Sequence, residues 1–461
     1  MKLKQITKLL FAIFIAYGLS SCNSDSTDYT TTSASSDAQI YSFKLSAKPY
    51  TKEDTVNYPV MAKTRFSIDQ FKASIYNTDS LPYKTSLRNV YVSLGFGSSS
   101  PSKLQVIYSQ PDSIADWNGT DSVDFSRIPK IRVIPANGST ADAIEYSIDL
   151  RIHKVDPDTL VWEEIKALEQ PATIKRQKTL LVDNKTFYTF SIDSDNKLYL
   201  HTADKSTAYN SRVSINGLDA AKIKLESITY FNNHFYAVDS DKKAYVADKN
   251  GLNWSQKNEN IINIVGVLPT TNPVNDVLLV VAEKSDGTYF ARTSDMDNLI
   301  YEESPVAGNV NGDFPISDFT SVTNYDRNNI NNCILAATGG SDGNNLTWSV
   351  QLDDNKALRI ASNQKKDVPF KLKNGIVTFL YDGYLFALVE NQFYKSASYG
   401  SKWIVAPNKE ILDSKIPKAS KQSIIVDEDN YIWIFGGIKD VGGASVQFVW
   451  RGRLNKLNPK N

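Results

Sequence analysis

The pattern of apolar and polar residues changes near residue 170. Before that point, short segments such as 146–152 alternate between apolar and polar residues, and turn sequences such as Asn137-Gly138 separate them. Alternation with a period of two is typical of strands with one buried face, and Asn-Gly pairs favour tight turns. Helical periodicity of any length is missing from this stretch. The pattern therefore predicts an antiparallel, immunoglobulin-like β-sandwich over residues 39–166.

From residue 171 onward, paired apolar strands recur at nearly constant spacing. The first two pairs are 188–192 with 198–200, and 235–238 with 244–246. Equivalent positions in six such pairs are Tyr188, Tyr236, Leu279, Leu335, Leu385 and Ile432. Their spacing of 43 to 56 residues, with two strands in each copy, is the signature of a β-propeller. We predict an all-β chain whose residues 171–461 form a propeller of six blades; seven is the alternative if one copy is too degraded to recognise.

The predicted blades contain degenerate turn motifs. Their residues with a structural role are Gly251, Trp254, Ser396, Gly400, Trp403, Gly436 and Gly437. The segment 396–403 resembles the Asp-box of sialidase-type propellers, with Ser398 in place of the aspartate, and 248–254 keeps its Gly and Trp. In such a turn a side-chain oxygen caps the backbone and glycine accepts a positive φ. The two consecutive glycines end an apolar strand, as in kelch blades. These motifs predict structure and imply no activity.

The N-terminus has the pattern of an export signal. Three lysines precede an apolar run over residues 9–19, which is too short to span a bilayer and is typical of a signal peptide. The run ends in Leu19-Ser20-Ser21-Cys22, which resembles the lipobox of bacterial lipoproteins. The resemblance implies removal of residues 1–21, acylation of Cys22 and attachment to the membrane through this N-terminal lipid anchor. A plain secretory signal with an incidental cysteine is the alternative.

The residues after the lipobox predict a spacer. Residues 22–38 are rich in Ser, Thr and Asp and contain no aliphatic side chain larger than Ala. Such a composition favours a flexible tether between membrane and folded body. Acidic residues directly after the cysteine weakly resemble a signal for surface export. We expect an outer-membrane location, on the cell surface or on the periplasmic face.

Composition excludes several function classes. Lys+Arg and Asp+Glu both number 51, so no basic excess points to nucleic acid. Three His and two Cys, scattered along the chain, form no metal-ligand pattern, and we predict no metal, no other cofactor and no catalytic residue. The string Asp-Ser-Asp occurs at 193–195 and again at 239–241, and its recurrence at matching hairpins predicts turn capping rather than calcium binding.

The whole layout is similar to that of a family of Bacteroidetes lipoproteins of unknown function. The residues that carry the resemblance are 36–43, Asp156-Pro157-Asp158 ahead of Trp162, and the final strand 449–454. The family combines a lipobox, a sandwich domain and a propeller related to sialidase or kelch repeats. The resemblance implies this architecture and brings no known activity.

Three functions fit this layout. The first is non-catalytic binding of a glycan or protein at the propeller face, where loops surround the central channel. The second is a divergent carbohydrate-active enzyme, a sialidase-like hydrolase or a lyase, which requires Asp or Glu clustered with Arg or Tyr at the inner ends of several blades. The third is an accessory subunit of an outer-membrane uptake complex, which predicts an exposed apolar patch. We prefer the first, because the sequence contains no recognisable catalytic set.

Overall fold

The computed structural model describes residues 33–46, 60–109, 112–169, 173–302, 314–325, 332–339, 345–353, 356–365, 369–372, 376–439 and 442–458. Cys22, the signal peptide and most of the predicted tether lie outside these residues. The chain forms two compact units, one ending at Lys154 and one beginning at Val155. Strands dominate both. Residues 60–63 are α-helical, and single 3-10 turns lie at Phe125–Arg127, Lys166–Leu168, Leu225–Ser227, Pro273–Asn275 and Asn455–Leu457. In the described part, no helix has the length and apolar character needed to span a membrane.

The first unit has two β-sheets around one hydrophobic core. Strands β1 (Ser42–Ser46) and β4 (Tyr91–Gly95) form a two-stranded antiparallel sheet. The second sheet has the order β2 (Phe66–Asp69), β3 (Ser74–Asn77), β8 (Ile144–Asp149), β7 (Lys130–Ile134), β5 (Lys103–Ser109), β6 (Asp112–Trp117). Buried side chains of both sheets, among them Phe43 and Ile131, belong to one cluster.

One pair of strands in this unit departs from the predicted antiparallel arrangement. β3 and β8 run parallel, with Ser74 opposite Ser147. The alternating pattern cannot reveal this, because it fixes which face of a strand is buried and leaves the direction of its partner open. Parallel pairing needs a long connection, and about 65 residues separate the two strands. The immunoglobulin-like arrangement stays a prediction.

The second unit contains six four-stranded antiparallel sheets in the described residues, which are the blades of the propeller. Blade 1 is β10 (Ile174–Val182), β11 (Thr186–Asp193), β12 (Leu198–Asp204) and β13 (Val213–Ser214). Blade 2 is β14 (Thr229–Phe231), β15 (His234–Val238), β16 (Ala244–Asp248) and β17 (Trp254–Asn258). Blade 3 is β18 (Ile261–Leu268), β19 (Val277–Lys284), β20 (Gly287–Thr293) and β21 (Ile300–Tyr301).

The other three blades follow the same plan. Blade 4 is β22 (Phe319–Asn324), β23 (Cys333–Gly339), β24 (Asn345–Leu352) and β25 (Leu358–Lys365). Blade 5 is β26 (Val377–Tyr381), β27 (Tyr384–Val389), β28 (Gln392–Ser396) and β29 (Ile404–Val405). Blade 6 is β31 (Ser423–Val426), β32 (Ile432–Phe435), β34 (Val449–Leu454) and β9 (Leu160–Glu164), beside a short pair β30 (Ala419–Ser420) and β33 (Ile438–Lys439). The six predicted strand pairs are the second and third strands of these six blades.

The blades close into a ring around a central channel. The first strand of each blade contacts the first strands of the blades on either side, and β31 of blade 6 contacts β10 of blade 1. These first strands are therefore innermost. The second strands are buried on both faces, as in β19 and β32, because each blade packs between two others. Burial on both faces explains why the sequence shows these strands as continuous apolar runs.

Strand β9 corrects the predicted boundary between the two domains. The sequence pattern assigned residues up to 166 to the sandwich, whereas β9 pairs with β34 and forms the outer strand of blade 6. Trp162 donates its indole N–H to the Ile411 carbonyl at 2.9 Å, and Arg451 pairs with Glu163 at 2.8 Å. A strand of this length looks alike in either domain, since its pattern shows only that one face is buried. The boundary lies near residue 155.

Candidate binding site in the central channel

The charged residues of the described innermost strands are all basic. Among the residues of the six innermost strands described above, none is Asp or Glu. The charged residues there are Lys175, Arg176 and Lys178, all on β10. Lys175 and Arg176 are exposed near the start of the strand, whereas Lys178 lies at its middle and is only partly exposed.

Lys178 stands out because it has no partner among the described residues. Burial lowers the pKa of its ammonium group, and the negative charge of Glu226 opposes that effect. No described carboxylate lies within ion-pair distance of it. Its cationic neighbours are occupied: Arg176 donates to the Ile223 carbonyl at 3.0 Å, and Lys224 donates to the Ile262 carbonyl at 2.8 Å. Lys178 is thus an amine on an innermost strand without an ion-pair partner among the described residues.

Gln177, the residue before Lys178, is also unsatisfied. Both polar atoms of its side-chain amide are buried without a hydrogen-bond partner among the described residues. The side chain lies against Gly436, which has a φ of +58°, and a Cβ at that glycine would stand 1.7 Å from Gln177 Nε2. Glycine is needed here both for its left-handed backbone and for the space that Gln177 occupies. Buried amide atoms of this kind are available to a bound water or a ligand.

Hydroxyl groups link the innermost strands and hold the channel wall rigid. The backbone N–H of Thr179 donates to Ser423 Oγ in blade 6 at 3.0 Å. Between blades 4 and 5, the N–H of Thr378 donates to Thr320 Oγ1 at 2.8 Å. Between blades 4 and 3, Ser321 Oγ donates to the Val265 carbonyl at 2.6 Å. These contacts fix the positions of neighbouring blades and give a ligand a preorganised wall.

The Asp-box-like segments lie away from the channel, between the third and fourth strands of their blades. Ser396 Oγ accepts the N–H of Gly400 at 2.9 Å, Ser398 Oγ accepts the N–H of Lys402 at 3.0 Å, and Gly400 has a φ of +91°. The ring of Trp403 packs against Phe370 with centroids 5.3 Å apart. These residues shape the turn and do not reach the innermost strands.

The second Asp-box-like segment, residues 248–254, lies between the third and fourth strands of blade 2. Gly251 has a φ of +69°, and its carbonyl accepts the indole N–H of Trp254 at 3.0 Å. Trp254 is buried against Phe190 of blade 1, with centroids 6.0 Å apart. Its role is therefore to fill the space between two blades.

A third turn of this type was missed at the sequence level. In blade 3, Thr293 Oγ1 accepts the N–H of Met296 at 3.0 Å, and Asp295 Oδ1 accepts the N–H of Asp297 at 2.9 Å. The order Thr-x-Asp directly after the third strand is the front half of the Asp-box. It lacks the Gly and Trp by which the other two segments were recognised.

The recurrent Asp-Ser-Asp strings are turn caps. Asp193 Oδ1 accepts the N–H groups of Asp195 and Lys197, both at 3.0 Å. Asp239 Oδ1 does the same for Asp241 and Lys243, both at 2.9 Å. The first aspartate of each string thus satisfies backbone donors of the hairpin. Within the described residues, no group of three or more His, Cys, Asp or Glu side chains could hold a metal ion.

The sequence matches a family in both of its units. Residues 156–461 match the DUF6242 beta propeller domain, and residues 42–150 match the N-terminal domain of the same family, a domain of unknown function. This chain belongs to the DUF6242 family. A search of curated proteins finds no match to it.

Solved structures share the propeller architecture of this DUF6242 protein at low identity. An auxiliary nutrient binding protein from Bacteroides ovatus is 10% identical, with a TM-score of 0.43, and the match covers 82% of this chain and 95% of that one. An alpha-L-arabinanase from Penicillium chrysogenum is 9% identical at a TM-score of 0.34, covering 65% and 98%. The Aleuria aurantia lectin is 11% identical at 0.37, covering 63% and 98%. Likeness at this level carries no argument about the ligand or the activity.

The arginines of this DUF6242 propeller are not gathered at the channel. Arg176 is on an innermost strand, whereas Arg451 pairs with Glu163 between the two outer strands of blade 6. Arg359, on the outer strand of blade 4, pairs with Asp353 at 2.9 Å. A sialidase-like site needs three arginines around one carboxylate, and the described arginines do not form such a set.

The buried Cys333 has a raised pKa, chiefly through burial, which disfavours a reactive thiolate.

Proposed function

We propose that this chain is a non-catalytic binding protein of the bacterial cell envelope, and that its propeller channel holds an anionic group of a glycan or protein ligand at Lys178. The observation that supports this is a lysine on an innermost strand without an ion-pair partner among the described residues, where the six innermost strands, as far as they are described, contribute no carboxylate. A buried charge without a partner destabilises a fold by several kcal/mol. Such groups are characteristic of functional sites, where a ligand completes the pair.

The chemistry of the wall indicates the ligand class. An ammonium group acts as a compact point charge and suits a carboxylate or sulfate oxygen. The amide of Gln177 can both donate and accept, so it suits a hydroxyl group. Acidic oligosaccharides, such as those containing uronic acids, carry both an anion and hydroxyl groups. A protein ligand would have to present an Asp or Glu side chain on a narrow loop.

The enzyme hypothesis receives little support from this wall. Hydrolysis of a glycosidic bond uses two carboxyl groups about 5–10 Å apart. The described innermost strands contribute none, and Glu226 lies on the short turn ahead of β14. A binding role needs only a wall that is complementary to the ligand in shape and charge.

A specific observation favours an accessory role as a second candidate. Apolar side chains are exposed at the outer edge of blades 5 and 6, namely Val161, Ile404, Val405 and Ile411, each about half exposed. Trp162 joins two parts of this edge through its hydrogen bond to Ile411. An exposed apolar edge is a typical contact surface for another protein. Within an outer-membrane uptake complex it would hold the propeller beside a transporter.

Binding of acidic glycans by purified residues 38–461 tests the first proposal. An array of acidic and neutral oligosaccharides, with mass spectrometry of each spot afterwards, separates binding from turnover. We expect retention of acidic probes with unchanged mass. Lys178→Met should weaken it by about tenfold or more, as expected when one partner of a buried charge pair is removed.

Lys402→Met is the matched control, because Lys402 is exposed in the outer turn of blade 5 and its loss changes the net charge equally. Lys178→Met should remain folded, since it removes a desolvated charge, and thermal melting checks this. Equal retention by Lys178→Met and the wild type would overturn the channel site. Loss of mass at any spot would overturn the non-catalytic role.

A further inference from the structure

The turn between β2 and β3 presents an aromatic side chain to solvent. Phe71 is fully exposed at its tip, and the exposed Lys72 follows it. Asp69 Oδ1 accepts the N–H groups of both residues, at 3.1 and 3.0 Å. The turn is therefore preformed, and it holds the ring away from the core. Water solvates an exposed Phe poorly, so burial of this ring against a partner would be favourable.

The chain enters the first unit at the same end of the six-stranded sheet. The Ser35 carbonyl accepts the N–H of Asn137, in the connection from β7 to β8, at 3.1 Å. β3 and β8 are parallel, so the β2–β3 turn lies at the end of the sheet where β8 begins. The Ala73 carbonyl accepts the N–H of Ser147 at 2.9 Å, which ties the turn to β8.

A chain of hydrogen bonds fixes the turn to the segment that precedes β1. Gln70 Nε2 donates to the Ile40 carbonyl at 2.7 Å, and Tyr146 OH donates to Gln70 Oε1 at 2.5 Å. The N–H of Ile40 donates to Tyr146 OH at 3.2 Å. Ile40 and Tyr146 are completely buried. The position of Phe71 relative to the N-terminal segment is thus rigid.

We propose that Phe71 and Lys72 form a contact with the lipid surface, next to the anchor at Cys22. The inference rests on the proposed lipid attachment. Ser35 follows Cys22 by 13 residues, and a chain of that length reaches at most about 45 Å. The end of the sheet where the chain enters is therefore held near the bilayer. A Phe ring can enter the boundary between headgroups and acyl chains, and a neighbouring Lys is attracted to anionic lipids.

A fluorescent label at position 71 tests the contact. In Phe71→Cys, the new thiol is labelled with an environment-sensitive dye, while Cys333 is buried. The acylated protein is reconstituted into vesicles of phosphatidylethanolamine and phosphatidylglycerol containing a headgroup-level spin-labelled lipid. Ile114→Cys is the matched control, because Ile114 is an exposed apolar residue on β6, at the opposite edge of the same sheet. We expect quenching at position 71 to exceed that at position 114 about threefold or more, since quenching needs close contact.

A second arm separates this contact from the anchor. The chain from residue 23 carries an N-terminal hexahistidine segment in place of the acyl groups and is held on vesicles with a nickel-chelating lipid. Equal quenching at positions 71 and 114 in this arm would overturn the contact, whatever happens at Cys22. Strong quenching at 71 in this arm, with no acylation of Cys22 in cells, would overturn the anchor and leave the contact standing.

Discussion

His201 shows how burial alone changes the chemistry of a side chain. It lies on β12 in blade 1 with 5% of its surface exposed, and its ring packs edge-on against Tyr209 with centroids 5.4 Å apart. Burial, together with the positive charge of Arg212, lowers the pKa of His201 from 6.5 to about 4. The folded protein therefore keeps this imidazole neutral at pH values where the unfolded chain protonates it.

Acid should destabilise the fold through His201. The unfolded chain binds the proton near pH 6.5 and the folded chain only near 4. Protonation of the unfolded chain therefore lowers the free energy of unfolding as the pH falls below 6.5, and above 6.5 the free energy of unfolding is unaffected by the protonation of His201. Between pH 7.5 and 4.5 we expect a loss on the order of 2–3 kcal/mol. Urea unfolding of the wild type and His201→Phe at both pH values measures it, with the exposed His234→Phe as control. A pH dependence unchanged in His201→Phe would contradict the prediction.

At the scale of single elements, an aspartate joins the last blade to the first. Asp427 lies in the turn between β31 and β32, where it accepts the N–H of Tyr431 and the indole N–H of Trp433, both at 2.9 Å. Its carboxylate also lies 3.4 Å from Lys205 Nζ of blade 1. The buried side chain of Asp427 thus accepts from two donors of its own blade and pairs with Lys205 of blade 1, where the last blade meets the first.

Asp427→Ala should lower the free energy of unfolding by about 2–4 kcal/mol, because it leaves buried donors without an acceptor. Asp429→Ala is the matched control, since Asp429 pairs with the same Lys205 at 2.9 Å but is largely exposed. That variant should lose less than about 1 kcal/mol. Chemical denaturation of both variants measures the difference. Equal losses would show that the ion pair with Lys205, rather than the buried cap, stabilises this turn.

Elements differ in how well their sequence predicts them. The second strands, such as 277–284 and 432–435, were found because packing between two blades makes them apolar on both faces. The innermost strands were not singled out, because one edge faces the channel and tolerates polar residues such as Gln177 and Lys178. Lys178 was missed for this reason. The signal that could have found it is its place ahead of the first predicted hairpin, where a propeller repeat puts its innermost strand.

At the scale of the whole molecule, the propeller is closed by a strand from the beginning of its own domain. β9 supplies the outer strand of blade 6, about 290 residues from its partner β34 in sequence. Leu160 and Leu454 are buried together in one cluster with residues of blade 5. This pairing ties the two ends of the ring together and opposes its opening.

Shortened chains test this closure. Residues 155–461 keep β9, whereas residues 170–461 lack it and leave the edge of β34 exposed. We expect the shorter chain to melt at least about 5 °C lower, since a packed strand contributes several kcal/mol and a domain of this size shifts by roughly 2–4 °C per kcal/mol. Differential scanning calorimetry compares the two. Equal melting temperatures would mean that β9 does not stabilise the ring.

The sequence by itself determined the strand content and the repeat, and it favoured six blades over seven. These follow from local chemistry: alternation marks one-sided burial, continuous apolar runs mark burial between blades, and turn residues mark the hairpins between them. The tertiary structure alone decided the parallel pairing of β3 with β8, the transfer of β9 to the last blade, and the place of Lys178 on an innermost strand without an ion-pair partner among the described residues. Each of these depends on which distant segments meet, and alternation along one strand contains no information about the identity of its neighbour.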